Sequence, residues 1–182
     1  MGHRFSDLTF TADVQATQQQ FGSYERSQTV RQRMPDFDRL GERETQFIAQ
    51  RDSFYMATVS TEGWPYIQHR GGEPGFLTVV NESLLCFANY SGNGQFQSLG
   101  NLSSNNRVAL FLMDYAHKRR LKILAEATMF LPQELPERLS VYSNASAESY
   151  VVLRLEAFDW NCSQNITPRF SEAEALDLFA SK

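Results

Sequence analysis

The sequence of 182 residues contains few of the residues that build covalent or metal-stabilised frameworks. It has 2 cysteines, Cys86 and Cys162, and 3 histidines. No pair among them has the short spacing of a structural zinc site. Two cysteines cannot form a multi-disulfide framework, and we expect both to be reduced thiols. The composition therefore predicts neither a disulfide-rich module nor a metal site.

Positive charge and long apolar runs are also scarce. The chain has 17 Lys and Arg against 21 Asp and Glu, a net charge of −4, so no globally basic surface attracts nucleic acid or anionic lipid. No apolar run approaches the roughly 18 residues of a membrane span, and the first residues lack the apolar core of a signal peptide. We therefore expect a cytoplasmic protein with no nucleic-acid and no membrane partner.

The chain does contain a polar N-terminal segment followed by a region dense in strand signals. Residues 1–43 are predicted to form an arm, with a helix near 12–20 and then irregular chain. This arm has too little apolar surface to fold alone, so it could wrap around the domain or around a partner subunit. Residues 44–182 are predicted to form one domain, with 42% hydrophobic residues in the whole chain supplying a core.

The region after the arm predicts a mainly β fold. Residues 120–129 alternate between apolar and polar, and the side chains expected to face inward are Leu121, Ile123, Ala125, Ala127 and Met129. Residues 107–113 are apolar on both faces, which predicts a central, doubly covered strand. About six strands joined by short turns argue against a parallel, doubly wound sheet. We therefore predict a six-stranded antiparallel barrel with peripheral helices near 95–102, 133–142 and 171–180.

Two polar segments are candidate binding loops. The run 68–72 ends an apolar strand with Arg70 and two glycines; glycine permits close backbone approach to a ligand, and arginine can grip a phosphate with two hydrogen bonds. The run 90–95 leads into a predicted helix whose first N–H groups would attract an anion. The structural alternative is a glycine turn and a capped helix without a ligand.

Two further groups each have a functional and a structural interpretation. The basic run 117–122 is either a nucleic-acid patch or the solvated end of a hairpin. Trp160 could wall a planar ring and Arg169 could pair with a phosphate; the alternative is a packed tryptophan and a surface arginine.

Taken in order, these motifs resemble those of the pyridoxamine 5′-phosphate oxidase-like, FMN-binding split-barrel superfamily. The similar segments are Ala57-Thr58-Val59, Gly63-Trp64-Pro65-Tyr66, Gln68 to Gly72, Phe87-Ala88-Asn89, Gly92-Asn93, Asn105 to Phe111, Arg120 to Ile123, Asp159-Trp160-Asn161-Cys162 and Pro168-Arg169-Phe170. The resemblance covers about residues 45–130, with the last two segments as a further signature.

The resemblance implies a split-barrel homodimer with FMN in clefts at the subunit interface, acting as an oxidoreductase on a small-molecule redox substrate. Residues implied for the flavin ring edge and ribityl chain are Gln68, His69, Arg70, Gly71 and Gly72. Those implied for the phosphate are Asn89, Gly92, Asn93, Gln97, Ser98 and Asn101, and those from the partner subunit are Arg120, Trp160 and Arg169. No catalytic acid or base is assigned, although His69 is a candidate.

The sequence departs from the family pattern in two places. Neutral Gln, Gly and Ser replace the basic pair that opens the phosphate-binding helix, so the phosphate would depend on backbone N–H groups, hydroxyls and Arg70 or Arg169. The stretch 165–169 lacks the Arg-x-His of the oxidases, so vitamin B6 oxidation is not expected.

Two alternatives remain: a non-catalytic flavin carrier or sensor, and a deazaflavin- or haem-binding protein on the same barrel.

Overall fold

The computed structural model describes residues 3–34, 36–160 and 164–180. The helices are α1 (Arg4–Thr9), α2 (Ala12–Gln20), α3 (Tyr24–Arg33), α4 (Glu42–Ala49), α5 (Gln97–Leu102) and α6 (Glu172–Ala180). The strands are β1 (Ser53–Val59), β2 (Pro65–Gly71), β3 (Thr78–Asn81), β4 (Leu84–Tyr90), β5 (Arg107–Asp114), β6 (Arg119–Phe130) and β7 (Ala147–Trp160). Cys162 and Asn161 lie outside the described residues.

The strands form one antiparallel sheet in the order β2-β1-β5-β6-β7-β4-β3. This confirms the prediction of a mainly β, antiparallel fold with peripheral helices. The sheet has seven strands rather than six, because the short β3 pairs with β4 as a separate edge strand. The central position predicted for residues 107–113 is also confirmed, since β5 lies between β1 and β6.

The main core lies on one face of the sheet, and a smaller buried cluster that includes Cys86, Tyr150 and Val152 lies on the opposite face of β4 and β7. Leu121, Ile123, Ala125 and Ala127 of β6 are buried, as their alternation predicts. Met129 is 41% exposed, so its predicted inward position is wrong; it lies beyond Glu126, the last residue of β6 that pairs with β5. The face of β5 opposite the core is only partly covered.

The N-terminal residues pack on the sheet through α1. Arg4 forms an ion pair with Glu156 of β7 at 3.0 Å, and Phe5 is buried. The helix predicted near 12–20 is α2. Residues 24–33 form α3 rather than irregular chain; this segment lacks an apolar stripe, which is the usual signal of a helix, but basic residues in its last turn suit the helix dipole.

Of two other predicted helices, one differs from its predicted form and one is confirmed. The predicted helix at 133–142 is instead two short 3₁₀ helices, Pro132–Glu134 and Glu137–Tyr142, because Pro136 interrupts the backbone hydrogen bonding. The helix predicted near 171–180 is α6, and Ser171 caps it, since its Oγ accepts the Glu174 N–H at 3.3 Å. None of the helices described is long and apolar enough to cross a membrane.

Candidate functional site

A cleft lies where the two ends of the sheet approach each other. Gln68 and Arg70 lie on one face of β2, because strand residues two apart share a face. Arg70 Nη1 donates to Asn89 Oδ1 at 2.6 Å, which joins β2 to β4 although the two strands are not neighbours in the sheet. Ser98 Oγ donates to Gln68 Oε1 at 2.8 Å, which holds α5 against β2. Side-chain hydrogen bonds thus span the split in the barrel.

The cleft encloses a cavity of about 210 Å³. Its walls bring together seven residues that the sequence predicted to bind FMN: Gln68, Arg70, Asn89, Gly92, Asn93, Gln97 and Ser98. Tyr90, Gly94, Phe96 and Leu99 complete the lining. Residues distant in sequence therefore converge on one polar cavity, which is the arrangement of a ligand site.

Arg70 is the one charged side chain among the described residues that line the cleft. Burial lowers the pKa of its guanidinium, which means that lost hydration is not fully compensated by the protein. Its Nε is buried and has no hydrogen-bond partner among the described residues. Its direct partner is the neutral amide of Asn89. A half-buried cation whose direct partner is a neutral amide favours an anion in this cleft.

The other polar groups of the cleft are neutral and well fixed. Ser98 is 1% exposed and Asn89 is 7% exposed. An amide whose oxygen accepts one hydrogen bond retains two N–H donors, so Asn89 can hold Arg70 and still donate to a ligand. Next to it, Asn93 Oδ1 accepts the Gln95 N–H at 3.1 Å and shapes the loop between β4 and α5. The cleft therefore combines one cation with several neutral hydrogen-bonding groups.

Three predicted residues of the 68–72 run lie elsewhere. His69 lies on the opposite face of β2 from Arg70, and its ring meets the edge of Tyr55 with centroids 5.5 Å apart. Gly71 and Gly72 end the strand, and a Cβ at Gly72 would lie 2.8 Å from the ring of Phe76. The close approach that glycine permits here is therefore to Phe76, and none of these three residues lines the cleft of its own chain.

Asn101 also has a role within the protein. Its Nδ2 donates to Thr58 Oγ1 at 2.9 Å, and Thr58 is a buried residue of β1. Asn101 lies one helical turn after Ser98, so the two side chains share a face of α5, but only Ser98 lines the cleft. Asn101 thus attaches α5 to the barrel.

The residues predicted to act from the partner subunit lie outside the cleft of their own chain. The guanidinium carbon of Arg120 lies 6.0 Å from the Phe111 ring, and its Nε is buried without a partner among the described residues. Arg169 is exposed, with its guanidinium carbon 5.2 Å from the Tyr115 ring. Their role toward a second subunit remains a prediction.

Trp160, the third of these residues, packs against α4. Its Nε1 donates to Glu44 Oε1 at 2.7 Å, and Phe47 meets it in a T-shaped contact with centroids 4.8 Å apart. The guanidinium carbon of Arg43 lies 4.2 Å from the tryptophan ring centroid. Within its own chain, Trp160 is thus the packed tryptophan of the structural alternative.

Some residues at the cleft were missed by the sequence analysis. Tyr66 Oη donates to Gln97 Oε1 at 3.0 Å, and the alternation of β2 could have placed Tyr66 on the same face as Gln68. Phe96 lines the cleft with a left-handed backbone, φ 48°, which a sequence motif does not reveal for a non-glycine residue. Tyr90 lies in a quoted segment but was not assigned a role.

The basic run 117–122 is largely neutralised by carboxylates. Asp114, buried at the end of β5, accepts hydrogen bonds from Arg119 Nη2 at 2.7 Å and from the His117 N–H at 3.0 Å. Burial opposes ionisation of Asp114, but the His117 and Arg119 hydrogen bonds outweigh it and hold its pKa below the ordinary value. Lys122 Nζ pairs with Asp159 at 2.9 Å. The geometry supports a hairpin end rather than a nucleic-acid patch.

An apolar surface lies on the side of the sheet opposite the core. We call it the outer face, and its sheet residues are Tyr55, Ala57, Ile67, Ala109, Phe111 and Leu124. With Phe5 of α1 they form a groove of about 430 Å³. Ile67 is 65% exposed and Tyr55 is 40% exposed. Contiguous apolar surface of this kind marks an interaction site.

Comparison with known proteins identifies the family. The family model described as pyridoxamine 5′-phosphate oxidase matches residues 40–161, and this span contains every strand and every residue lining the cleft. The chain therefore belongs to the pyridoxamine 5′-phosphate oxidase family. A search of curated protein sequences gave no significant match.

Solved structures share the fold. A pyridoxamine 5′-phosphate oxidase-like protein of Lactobacillus delbrueckii is 20% identical, with a TM-score of 0.55 over 67% of this chain and 94% of that one. HupZ of Group A Streptococcus is 12% identical, with a TM-score of 0.53 over 72% of this chain and 99% of that one. At these identities the likeness concerns the fold.

Proposed function

We propose that the protein binds FMN in the cleft and acts as an FMN-dependent oxidoreductase on a small-molecule substrate. The single observation that carries the proposal is Arg70, a half-buried cation that lines a polar cavity and has a neutral amide as its direct partner. Membership of the pyridoxamine 5′-phosphate oxidase family supports the assignment to a flavin phosphate rather than to another anion.

The cleft residues fit the phosphate and ribityl end of FMN. Arg70 would donate to phosphate oxygens, and Ser98 and Asn89 would supply neutral hydrogen bonds beside it. Gln68 and Gln97 offer amides to the ribityl hydroxyls. A cavity of about 210 Å³ is smaller than the roughly 300–1,000 Å³ of sites that enclose a drug-sized ligand, so the flavin ring would extend beyond it.

When bound, FMN would supply the redox chemistry of hydride transfer, and the residues of the cleft would hold it in place. The described residues that line the cleft include no carboxylate, histidine, lysine or cysteine. We assign these side chains to binding and orienting the flavin. His69, the acid–base candidate of the sequence analysis, would act only from the outer face.

The proposal is tested by replacing the cation. In Arg70→Met, we expect the dissociation constant for FMN to rise at least about tenfold, because a charge-assisted hydrogen bond contributes about 1.5–3 kcal/mol. Titration followed by flavin fluorescence measures this. Arg107→Met, which removes an exposed arginine at the start of β5, is the matched control and should bind FMN as the wild type does. Equal affinity in all three proteins would remove Arg70 from the site.

We also propose that the protein is a homodimer paired through the outer face. The groove there is almost wholly apolar, and Arg120 lies beside it with its unpartnered Nε. Covering Ile67 and Phe111 with a second copy would remove this surface from water. Ile67→Glu should shift the protein from dimer to monomer in analytical ultracentrifugation, whereas Val141→Glu, an exposed site away from the outer face, should not. A monomeric wild type would contradict the dimer.

Two outcomes separate the oxidoreductase from its alternatives. Anaerobic mixing with NADH or NADPH should bleach the bound flavin in a competent oxidoreductase and leave it oxidised in a carrier or sensor. The absorption spectrum of the purified protein distinguishes flavin from deazaflavin or haem.

A further inference from the structure

Phe96 combines a strained backbone with an exposed ring at the cleft. Its φ of 48° and ψ of 24° lie in the left-handed region, which a residue with a Cβ adopts at a cost in free energy. The other left-handed position of this loop is a glycine, Gly94, with φ 71°. Phe96 is also the N-cap of α5 and supplies no side-chain hydrogen bond there, as Ser, Thr, Asp or Asn could. Glycine or asparagine would therefore suit the backbone of this position better.

A second phenylalanine with the same type of backbone shows how such strain is offset within the protein. Phe37 has φ 51°, and its ring centroid lies 4.9 Å from that of Phe158 and 5.1 Å from that of His3. It packs against the main core. Phe96, in contrast, belongs to neither core cluster of the described residues and is 57% exposed. Packing offsets the strain at Phe37 far more than the strain at Phe96.

The two other non-glycine residues with positive φ are explained by local structure. Lys118, with φ 53°, lies in the turn that joins β5 to β6, and hairpin turns commonly need a left-handed residue. Asn165, with φ 61°, is of a type that tolerates this region. Phe96 has neither explanation.

Hydrogen bonds on both sides hold Phe96 in this conformation. Before it, Asn93 Oδ1 accepts the Gln95 N–H at 3.1 Å. After it, Tyr66 Oη of β2 donates to Gln97 Oε1 at 3.0 Å. Strained residues that their surroundings hold in place cluster at ligand sites, and Phe96 lines the cleft.

We propose that the ring of Phe96 covers the phosphate end of the bound flavin and shields its contact with Arg70 from water. Both side chains line one cavity of about 210 Å³, which is too small for a whole flavin, so both contact the same part of the ligand. An apolar ring there excludes water, and a charge pair is stronger in surroundings of lower dielectric constant. The proposal rests on the proposed function, because that function places the phosphate beside Arg70.

The variant Phe96→Asn tests the strain and the cover together. Asparagine tolerates a left-handed backbone, so we expect the Tm to rise by about 2–4 °C. The dissociation constant for FMN should rise about fivefold, because water then reaches the phosphate and its cation. The dissociation constant for riboflavin, which has no phosphate, should change less than about twofold. Thermal denaturation and titration followed by flavin fluorescence measure these effects.

Two control variants separate the ring from other effects of the substitution. Phe96→Tyr retains both the aromatic ring and the strain, so its Tm and its FMN affinity should match those of the wild type. Phe21→Asn removes an exposed phenylalanine that has φ −93° and lies outside the cleft. Because it relieves no strain and uncovers no ligand, it should also match the wild type.

The salt dependence of binding distinguishes shielding from a merely structural role. Salt screens exposed charge pairs strongly and shielded ones much less. Raising the salt concentration from about 0.05 M to about 0.5 M should therefore weaken FMN binding more in Phe96→Asn than in the wild type or in Phe96→Tyr.

Each outcome decides the inference. If the wild type binds FMN and Phe96→Asn binds it equally well at both salt concentrations, the inference is overturned and the proposed function stands. A lower Tm in Phe96→Asn would show that the ring packs within the protein, and this result would also overturn the inference alone. Failure of the wild type to bind FMN would overturn both.

Discussion

The cleft and the β5–β6 hairpin each contain cations that the sequence singles out, one in the cleft and several at the hairpin, and they differ in how those cations are partnered. At the hairpin, Asp114 is 2% exposed and bonds Arg119 and His117, with Arg51 Nη2 3.9 Å away. In the cleft, Arg70 has a neutral amide as its direct partner and a buried Nε without one.

This difference separates a structural use of charge from a binding use. A buried carboxylate surrounded by cations completes its own hydrogen bonding and fixes the turn. A half-buried guanidinium facing a neutral amide is not fully compensated for its lost hydration, and an anionic ligand can recover that cost. The same residue type therefore has two roles, and its partner decides between them.

The largest expected effect is a loss of folding stability when the buried carboxylate of the hairpin is replaced. Asp114→Asn should lower the free energy of unfolding by about 3 kcal/mol, because it leaves Arg51 and Arg119 without their carboxylate. Urea denaturation measures this. Glu126→Gln removes the exposed partner of Arg154 and should change stability little. FMN affinity should stay unchanged in Asp114→Asn. Weaker FMN binding by this variant would show that the hairpin and the cleft are coupled and would contradict their separation.

The pH dependence of stability sharpens the same contrast. The pKa of Asp114 is lower in the folded protein than in the unfolded chain, so its contribution is complete above the unfolded pKa of about 3.9 and is lost as the pH falls through the lower folded value. The wild type should lose more stability than Asp114→Asn as the pH drops below about 4. Parallel curves in pH-dependent denaturation would contradict this assignment.

The smallest effect is expected from the cleft. Arg70→Met should alter the free energy of unfolding by no more than about 1 kcal/mol, since it removes one hydrogen bond but also a poorly compensated buried charge. Thermal and urea denaturation of the variant and the wild type measure it. A loss as large as that of Asp114→Asn would mean that Arg70 is structural.

The sequence predicts the sheet and the cleft well, for physical reasons. Alternation in residues 120–127 reports burial directly, and the position of Arg70 two residues from Gln68 puts both on one strand face. The convergence of Asn89 and Ser98 on these residues came from the resemblance to the family, because single-sequence patterns do not report contacts between distant segments.

Other features depend on partners that the sequence leaves open. Gly72 follows the pattern of a glycine that lets the backbone approach a ligand, but the space left by its missing Cβ is occupied by the ring of Phe76. Trp160 was a candidate to pack against a planar ligand ring, but its indole N–H donates to Glu44 within the protein. Helix α3 has no apolar stripe, so the periodicity that usually predicts a helix is absent from its sequence. In each case tertiary contacts decide what composition cannot.

The central claim is that Arg70 makes the cleft a phosphate site, and the difference in affinity between FMN and riboflavin tests it most directly. Riboflavin lacks the phosphate and is otherwise the same ligand. We predict that the wild type binds FMN at least about tenfold tighter than riboflavin and that Arg70→Met binds both alike. Equal affinity of the wild type for the two flavins, or a preference retained in Arg70→Met, would contradict the account.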